Sequence, residues 1–329
     1  MRYIIFGAGA VGGLIGAQLH AAGSEVVLIA RGRSLDTLRT DGLTLQTSGG
    51  EVVHRVPVVG GPIDARISAD DVVVLATKSQ DTAAALTSLA AVAPDETPIV
   101  CAQNGVENER LASRYFTNVY AMYVYCFAVS LVPGVVQRYT APSAGLCDIG
   151  RFPSGTDALL TRVIDDFVRA GFDSRQLTDA MAWKHGKLLA NVGNALQAVA
   201  QDFEGTADVL RLARAEAEAC FRSAQIPYVS LADQDERLAS VLPLVSVDGQ
   251  GFPGGSSWQS LVKGSSDVET AHLNGEIMML GKVTGVSTPV NRLLHRLVRD
   301  HSHLGLPAGG MSTSEIRELA AQAAGGVAV

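Results

Sequence analysis

The segment WKHGKLLANVGN, which begins at Trp183, has Lys187, Asn191 and Asn194 at helical spacing. At roughly 100° per residue, a continuous helix puts Lys187, Asn191 and Asn194 within about 60° of one another. Such a stripe of donors suits a carboxylate and a carbonyl oxygen, and a lysine with a lowered pKa can act as a general acid. An exposed polar helix face is the other interpretation, although the apolar neighbours nearly all round favour a buried helix.

A glycine-rich segment, GAGAVG, stands near the start of the chain and matches G-x-G-x-x-G. An apolar strand precedes it and a helix follows it, which is the context typical of a dinucleotide site. Gly7 permits the tight turn, Gly9 lets the backbone approach a pyrophosphate, and Gly12 lets the helix pack closely on the strand. The first amides of the helix, at Ala10 and Val11, then face the phosphates. A glycine-rich turn without a ligand is the alternative.

The end of the second predicted strand selects between two cofactors. Sites for NAD normally carry a carboxylate there, which accepts hydrogen bonds from the ribose 2′-hydroxyl. This chain instead has Ile29-Ala30-Arg31-Gly32-Arg33. Because the guanidinium of Arg31 can fork onto a 2′-phosphate, the sequence predicts NADPH rather than NADH. Two solvated arginines in a loop are the alternative.

Further polar residues stand where ligands commonly bind. Asn104 directly follows a predicted strand, at the edge where α/β sheets place ligands, but Asn104-Gly105 is also a common turn dipeptide. Ser257 and Glu269 would lie about 120° apart on a continuous helix. The segment Gly264-Ser265-Ser266 allows a helix break that would bring them together, although spacing alone does not establish it.

The elements that must position these residues change along the chain. Up to about residue 155, β-rich runs such as 3–6, 71–76 and 98–102 alternate with helical runs. Their uninterrupted apolar character predicts strands covered on both faces, as in a parallel sheet. We therefore expect a Rossmann-type, doubly wound α/β domain over residues 1–175 and an all-helical domain over residues 176–329.

The helical half has recognisable starts and stops. Helical patterns cover residues 158–170, 179–200, 206–225, 267–282 and 289–300, and residues 246–257 read as a loop. Thr288 is the expected N-cap before Pro289 at the first turn of its helix. Ser312 and Glu315 form a capping-box pattern that predicts a last helix.

Composition narrows the function classes. The 329 residues include 26 basic and 33 acidic ones, a formal net charge of -7, which argues against a nucleic-acid partner. Only five basic residues are lysines, so each lysine carries more information than usual. Four scattered cysteines favour a reduced, cytoplasmic compartment, and no run of about 18 uncharged apolar residues predicts a membrane span. The glycine spacing near the start argues against an export signal. No metal site is predicted, because His301 and His303 point to different faces of a helix.

Taken in order, these motifs resemble the ketopantoate reductase (2-dehydropantoate 2-reductase) family. The resemblance extends from the glycine loop to about residue 300. The motifs that carry it are the glycine loop, Arg31, Thr77-Lys78, Gln103-Asn104-Gly105, Lys187 with Asn191, Ser257 with Glu269, and Asn274-Gly275.

The resemblance implies NADPH-dependent reduction of a 2-oxo acid, namely ketopantoate to pantoate in pantothenate biosynthesis. Lys187 would be the general acid that protonates the carbonyl oxygen. Asn191 and Ser257 would hold the carboxylate and hydroxyl of the substrate, and Glu269 would orient a substrate or ribose hydroxyl.

The resemblance also implies cofactor contacts and an architecture. Asn104 would line the nicotinamide end, and Lys78 would join Arg31 at the adenosine phosphate. The helical domain would be like that of 6-phosphogluconate dehydrogenase. The expected partner is a small 2-oxo acid, and the apolar helical half is compatible with a homodimer.

Several positions depart from the family pattern. Asn194 comes three residues after Asn191, where the family usually spaces its second asparagine by four and this chain has Ala195. The family commonly has Met, Gln-Asp, Arg and Thr-Glu after the serine. Here the corresponding residues are Trp258, Ser260-Leu261, Ser266 and Val268-Glu269. These changes weaken the assignment of ketopantoate and leave open another 2-oxo acid or ketone as substrate, whereas the reaction type is retained with Lys187 and Glu269. A non-catalytic NADPH-binding regulator is the alternative from a different function class.

Overall fold

The computed structural model describes residues 1–265 and 268–325. They form two compact units. The first unit comprises Met1–Lys184 and Asp233–Pro253, and the second comprises His185–Ala232 and the chain from Gly254 onward. Composition suggests a single change of domain after residue 175. In the structure the chain changes unit after Lys184 and later returns to the first unit for a short stretch.

The strands belong to two sheets of the first unit. In the described residues they are β1 (Arg2–Phe6), β2 (Glu25–Ile29), β3 (Leu43–Thr47), β4 (Gly50–His54), β5 (Val58–Val59), β6 (Val72–Leu75), β7 (Ile99–Cys101), β8 (Val119–Tyr125), β9 (Ala128–Val129), β10 (Val135–Arg138) and β11 (Leu146–Arg151). The larger sheet has the order β11-β8-β7-β6-β1-β2-β5, and the smaller one has the order β4-β3-β10-β9.

The helices occur in both units. In the described part of the chain they are α1 (Ala10–Ala21), α2 (Gly32–Thr40), α3 (Pro62–Ala65), α4 (Thr82–Ala90), α5 (Asn108–Ala112), α6 (Ala158–Arg169), α7 (Ala180–Asn191), α8 (Asn194–Val199), α9 (Ala207–Ser223), α10 (Leu231–Leu238), α11 (Ser256–Val262), α12 (Asn274–Thr284), α13 (Pro289–Leu304) and α14 (Thr313–Gly325). Short 3-10 helices cover Ser79–Asp81, Glu204–Thr206 and Glu269–His272. Among these described helices, none is both long and apolar enough to cross a bilayer.

The larger sheet confirms the predicted fold class. Strands β5, β2, β1, β6, β7 and β8 are parallel neighbours in the order typical of a doubly wound dinucleotide-binding domain. The edge strand β11 runs antiparallel to β8, so the sheet is mixed. Within β6, Val72 and Val74 pack into one apolar cluster with α1 and α6, whereas Val73 and Leu75 pack into another with α4. Cover on both faces explains the uninterrupted apolar run of this strand.

An arginine fork holds the returning segment in the first unit. Arg237, on α10, donates to both carboxylate oxygens of Asp148 at 2.8 and 2.7 Å. It also donates to both oxygens of Asp173, at 2.9 and 2.7 Å. Asp148 lies on β11 and is fully buried, so the guanidinium is the partner that makes its burial tolerable. Sequence patterning missed α10, because its anchor is this long-range ion pair.

The second unit departs from the predicted helices at the turn after Asn191. Residues 179–200 are not one helix, because α7 ends at Asn191 and α8 begins at Asn194. A Cβ atom on Gly193 would lie 3.0 Å from Leu210 Cδ1, so the turn packs closely against α9. The expected loop 246–257 ends earlier than predicted, since α11 begins at Ser256.

The start of α13 is capped differently from the prediction. Thr288 stands at the N-cap position, but its side chain makes no capping hydrogen bond. The amides of Val290 and Asn291 donate instead to Glu216 on α9, at 2.8 and 2.9 Å. A carboxylate at this end also complements the helix dipole. The last helix, by contrast, uses its predicted cap, because Glu315 N–H donates to Ser312 Oγ at 3.3 Å.

Candidate functional site

The glycine loop of the first unit has the backbone that the pattern predicts. Gly7 has a φ of +107°, and a Cβ there would lie 2.9 Å from the backbone of Ala76. A Cβ on Gly12 would collide with the carbonyl oxygen of Gly7, whereas no atom of the described residues lies within 4 Å of a Cβ on Gly9. Gly9 thus stands at the N-cap of α1 with open space beside it, and no described side chain caps the first amides. The loop can therefore offer these amides to phosphate oxygens.

Arg31 lies at the carboxyl end of β2, where a dinucleotide-binding fold places the adenosine ribose. Its side chain is 72% exposed, and Nη2 lies 3.5 Å from Asp81 Oδ1. Asp81 ends the short 3-10 helix whose N-cap is Lys78. The fold therefore brings the segment of Lys78 next to Arg31. The fold also places a carboxylate, that of Asp81, beside Arg31, whereas residues 30–33 directly after β2 contain no carboxylate.

Asn104 lies in a loop that is stabilised by a network of buried and partly buried polar side chains. Its carbonyl oxygen accepts from Asn108 Nδ2 at 3.0 Å and from Ser79 Oγ at 3.2 Å. Thr82 Oγ1 donates to Asn108 Oδ1 at 2.8 Å and accepts from Gln103 Nε2 at 3.0 Å. Asn104-Gly105 lies in a bend of the chain just after the carboxyl end of β7, with Gly105 at a φ of +79°.

Lys184 completes the support of this loop. Its ammonium pairs with Glu109, and both side chains are almost fully buried. Lys184 Nζ also donates to the carbonyl oxygen of Gln103 at 3.1 Å. Two of the three ammonium donors therefore fix the loop and α5 to the start of α7. Lys184, one of the five lysines, therefore has a structural role.

Lys187 and Asn191 lie one helical turn apart on α7 and are both buried, 7% and 8% exposed. This burial rules out the exposed polar face as an account of these residues. Asn191 Oδ1 has no hydrogen-bond partner among the described residues. A buried amide oxygen of this kind is available to a ligand that can donate.

Ser257 lies in the first turn of α11 and is 1% exposed. Its hydroxyl oxygen, like that of Ser256, has no hydrogen-bond partner in the part of the chain that the structure describes. Glu269 begins a 3-10 helix and is also buried. The chain between the two elements turns at Gly264, with a φ of +65°. The break expected here is present, and α11 packs against the 3-10 helix of Glu269. Ser266 lies outside the described residues.

Asn194 does not continue the stripe of Lys187 and Asn191. Since α8 begins at Asn194 after a turn, the angles of a continuous helix do not apply to it. Its Oδ1 lies 4.0 Å from the position of a Cβ on Gly255, directly before α11. Gln197, on the same helix, accepts from the Gly255 amide at 2.9 Å. Asn194 therefore stands beside the start of the helix that carries Ser257.

A second buried network connects several of these segments within the second unit. Asn274 Nδ2 donates to the carbonyl oxygen of Val192 at 3.1 Å and to Asn291 Oδ1 at 3.0 Å. Thr270 Oγ1 donates to Asn274 Oδ1 at 3.2 Å. One amide thus ties the turn after Asn191 to the 3-10 helix of Glu269. Asn291 in turn donates to Glu216, the cap of α13, at 2.8 Å.

Some of these positions were missed by reasoning from sequence. Asp81 follows Lys78 by three residues and could have been noticed as a nearby carboxylate. Asn274 belongs to the Asn274-Gly275 motif, for which the sequence predicts no role. No local signal pairs Lys184 with Glu109, which is 75 residues away in sequence.

Comparison with known proteins connects both halves of the chain to one family. The family model Ketopantoate reductase PanE/ApbA matches residues 3–154, and Ketopantoate reductase PanE/ApbA C terminal matches residues 179–302. The 2-dehydropantoate 2-reductase of Pyrococcus horikoshii is 27% identical over 311 residues, which cover 93% of this chain and 99% of that protein.

Solved structures give the same connection. The PanE/ApbA family ketopantoate reductase from Ralstonia eutropha JMP134 is similar with a TM-score of 0.76 and 27% identity, over 93% of this chain and 99% of that one. A D-mandelate dehydrogenase solved with NADH and anilino(oxo)acetate has a TM-score of 0.80 at 22% identity, with the same coverage. The second likeness demonstrates a shared fold.

Proposed function

The chain belongs to the ketopantoate reductase PanE/ApbA family, and we propose that it uses NADPH to reduce 2-dehydropantoate to pantoate. The observation that carries this proposal is the pair of unsatisfied oxygens on Asn191 and Ser257, both buried. Leaving a buried polar group without a partner costs about 1–3 kcal/mol. A substrate with a carboxylate and a hydroxyl would supply the missing hydrogen bonds.

The proposed acid is Lys187. When bound, NADPH supplies a hydride to C2 of the substrate. The ammonium of Lys187 donates a proton to the carbonyl oxygen as negative charge develops there. Since Lys187 is almost fully buried, water competes little with the substrate for this donor.

Substrate positioning is assigned to three further residues of the second unit. The substrate hydroxyl is proposed to donate to Asn191 Oδ1, and the substrate carboxylate is proposed to accept from the Ser257 hydroxyl, since both side chains have unsatisfied oxygens and only the hydroxyl can donate to an amide oxygen. Glu269 is proposed to orient a substrate or ribose hydroxyl. Asn194, beside the start of α11, is the remaining candidate for a contact.

The preference for NADPH over NADH rests on Arg31 and Lys78. The glycine loop binds the pyrophosphate through the backbone, at Gly7, Gly9 and the first turn of α1. An exposed guanidinium at the end of β2 is free to turn from Asp81 to a 2′-phosphate, because a surface ion pair is worth only about 0–1 kcal/mol. Asn104 is proposed to line the nicotinamide end.

The test is NADPH oxidation with ketopantoate, pyruvate and an aromatic 2-oxo acid. Turnover fastest with ketopantoate supports the proposal, and turnover fastest with another 2-oxo acid assigns the protein a different substrate. NADPH binding without turnover on any substrate indicates a regulator instead.

A homodimer is proposed for the assembly. Met279 and Val283, four residues apart on α12, are large apolar side chains that remain 41% and 76% exposed in the single chain. Sedimentation equilibrium would give the mass of two chains, and the mass of one chain would contradict this assignment.

A further inference from the structure

Arg138, on β10 of the first unit, has a guanidinium that pairs with no residue in the part of the chain that the structure describes. Its Nε is fully enclosed, yet no described residue accepts a hydrogen bond from it. No carboxylate of the described chain pairs with it, and burial alone lowers the pKa of this guanidinium from its usual value. Arg138 is half-buried as a residue, but its enclosed Nε is a donor that lacks an acceptor, and an anion would supply one.

A second unsatisfied group lies two residues further on. Thr140 is 1% exposed, and its Oγ1 has no hydrogen-bond partner within the described residues. The chain stays extended between them, because Tyr139 N–H donates to the carbonyl oxygen of Phe127 at 2.9 Å. Alternation in an extended chain puts Arg138 and Thr140 on one face. Tyr139 points to the other face, into a cluster with Phe252.

The shared face is the one that packs against α1. Val136, two residues before Arg138, would be 2.8 Å from a Cβ placed on Gly13. Ala128, the partner of Arg138 in the β-ladder, belongs to the apolar cluster against which Ala8 and Ala10 of the glycine loop pack. The unpaired guanidinium therefore lies on the side of the small sheet where α1 begins.

We infer that Arg138 and Thr140 form an oxyanion-binding subsite beside the glycine loop. A guanidinium fork and a hydroxyl are the donors that a phosphate or carboxylate group prefers. The inference rests on the proposed function, which offers two such groups: a phosphate of the dinucleotide and the carboxylate of the 2-oxo acid. Both have the same recognition chemistry, and direct binding measurements separate them.

The experiment measures binding without turnover, by calorimetry on the full chain. One arm titrates NADPH, and the other titrates ketopantoate into the protein saturated with NADP⁺. The variants are Arg138→Met and Thr140→Val, which keep the approximate side-chain size and remove the donors. Arg162→Met, on the exposed face of α6, is the matched control.

Arg138→Met is expected to raise one dissociation constant by at least about tenfold, and Thr140→Val by a smaller factor. An effect on NADPH alone assigns the subsite to a phosphate, and an effect on ketopantoate alone assigns it to the carboxylate. Replacing a half-buried charge that pairs with no carboxylate of the described chain by an apolar side chain should also leave the unfolding temperature unchanged or raised. Arg138→Lys should restore part of the binding.

Unchanged binding of both ligands would overturn the inference. So would weaker binding accompanied by a lowered unfolding temperature and no recovery with Arg138→Lys, since that pattern indicates a packing role. A protein that binds NADPH through Arg138 but reduces no 2-oxo acid would contradict the proposed function and leave the subsite standing.

Discussion

Asn274 donates a hydrogen bond from its side-chain amide to the backbone carbonyl of Val192, 3.1 Å away. Val192 directly follows Asn191, and Asn274 also accepts from Thr270, next to Glu269. A single buried amide thus fixes two segments that carry proposed substrate contacts. This position gives the Asn274-Gly275 motif, which has no evident chemistry of its own, a structural role.

Asn274→Ala should lower both stability and turnover. The change leaves the Val192 carbonyl and Asn291 Oδ1 buried with one partner fewer, at a cost of about 2–4 kcal/mol in the free energy of unfolding. Urea denaturation measures this cost. The control is Asn118→Ala, a half-buried amide outside this network that donates to the Glu96 carbonyl at 2.7 Å and accepts from Arg151 at 3.2 Å. Equal losses in the free energy of unfolding for the two variants would mean that the Asn274 network stabilises the protein no more than an ordinary amide hydrogen bond does.

Arg31 and Asp81 should have opposite effects on cofactor choice. Arg31→Ala is expected to raise the KM for NADPH by about tenfold or more, through loss of a charge-assisted contact, and to leave the KM for NADH nearly unchanged. Asp81→Asn should lower the KM for NADPH, because it frees Arg31 and removes a like charge from the 2′-phosphate. Equal KM values for both cofactors in the unmodified protein would contradict the assignment of NADPH.

The buried pair of Lys184 and Glu109 should behave non-additively. Lys184→Met strands a carboxylate and Glu109→Leu strands an ammonium, so each single change should cost about 3–5 kcal/mol. The double variant should recover much of that loss, since an apolar pair of similar volume carries no desolvation penalty. Chemical denaturation of the four proteins gives the coupling energy. Costs that simply add would show that the pair does not act as a unit.

Much of the fold, and part of the site, was predictable from local sequence. The backbone conformation of the glycine loop was predictable from its sequence, because it is set by a local constraint: a Cβ on Gly12 would collide with Gly7. The family resemblance, read from the order of several motifs, is confirmed by the comparisons. Asn194 shows where such reasoning fails: the close approach of Gly193 to Leu210 interrupts the helix, and no periodicity signals a contact with another helix.

The missed features share a physical cause. Glu216 caps α13 across 74 residues of sequence, and Arg237 reaches Asp148 across 89. Long-range polar contacts of this kind depend on the tertiary fold, so they cannot be predicted from residue type alone. The predicted cap Thr288 illustrates the same point, since a carboxylate from α9 takes its place.

Arg237 should make the protein acid-sensitive. The hydrogen bonds from Arg237 lower the pKa of Asp173 below its ordinary value. A carboxylate with a depressed pKa contributes stability that is complete above its unfolded-state pKa, near about 4, and is lost as the pH falls through the folded-state value. Arg237→Met should therefore destabilise the protein at neutral pH and flatten the loss of stability between about pH 5 and pH 2.

Thermal unfolding of both proteins across this pH range measures the effect. The control is Arg222→Met, whose ion pair with Glu218 is exposed on α9 and should contribute little. An unchanged pH dependence in Arg237→Met would show that the fork does not set acid stability.

The central claim is that Lys187 supplies the proton. The most direct measurement is single-turnover oxidation of NADPH by ketopantoate, comparing Lys187→Met with the exposed-lysine control Lys282→Met. We expect Lys187→Met to slow the chemical step by about 10²–10⁴-fold with the dissociation constant of NADPH unchanged, and Lys282→Met to match the unmodified protein. A chemical step that proceeds at the same rate without Lys187 would contradict the account.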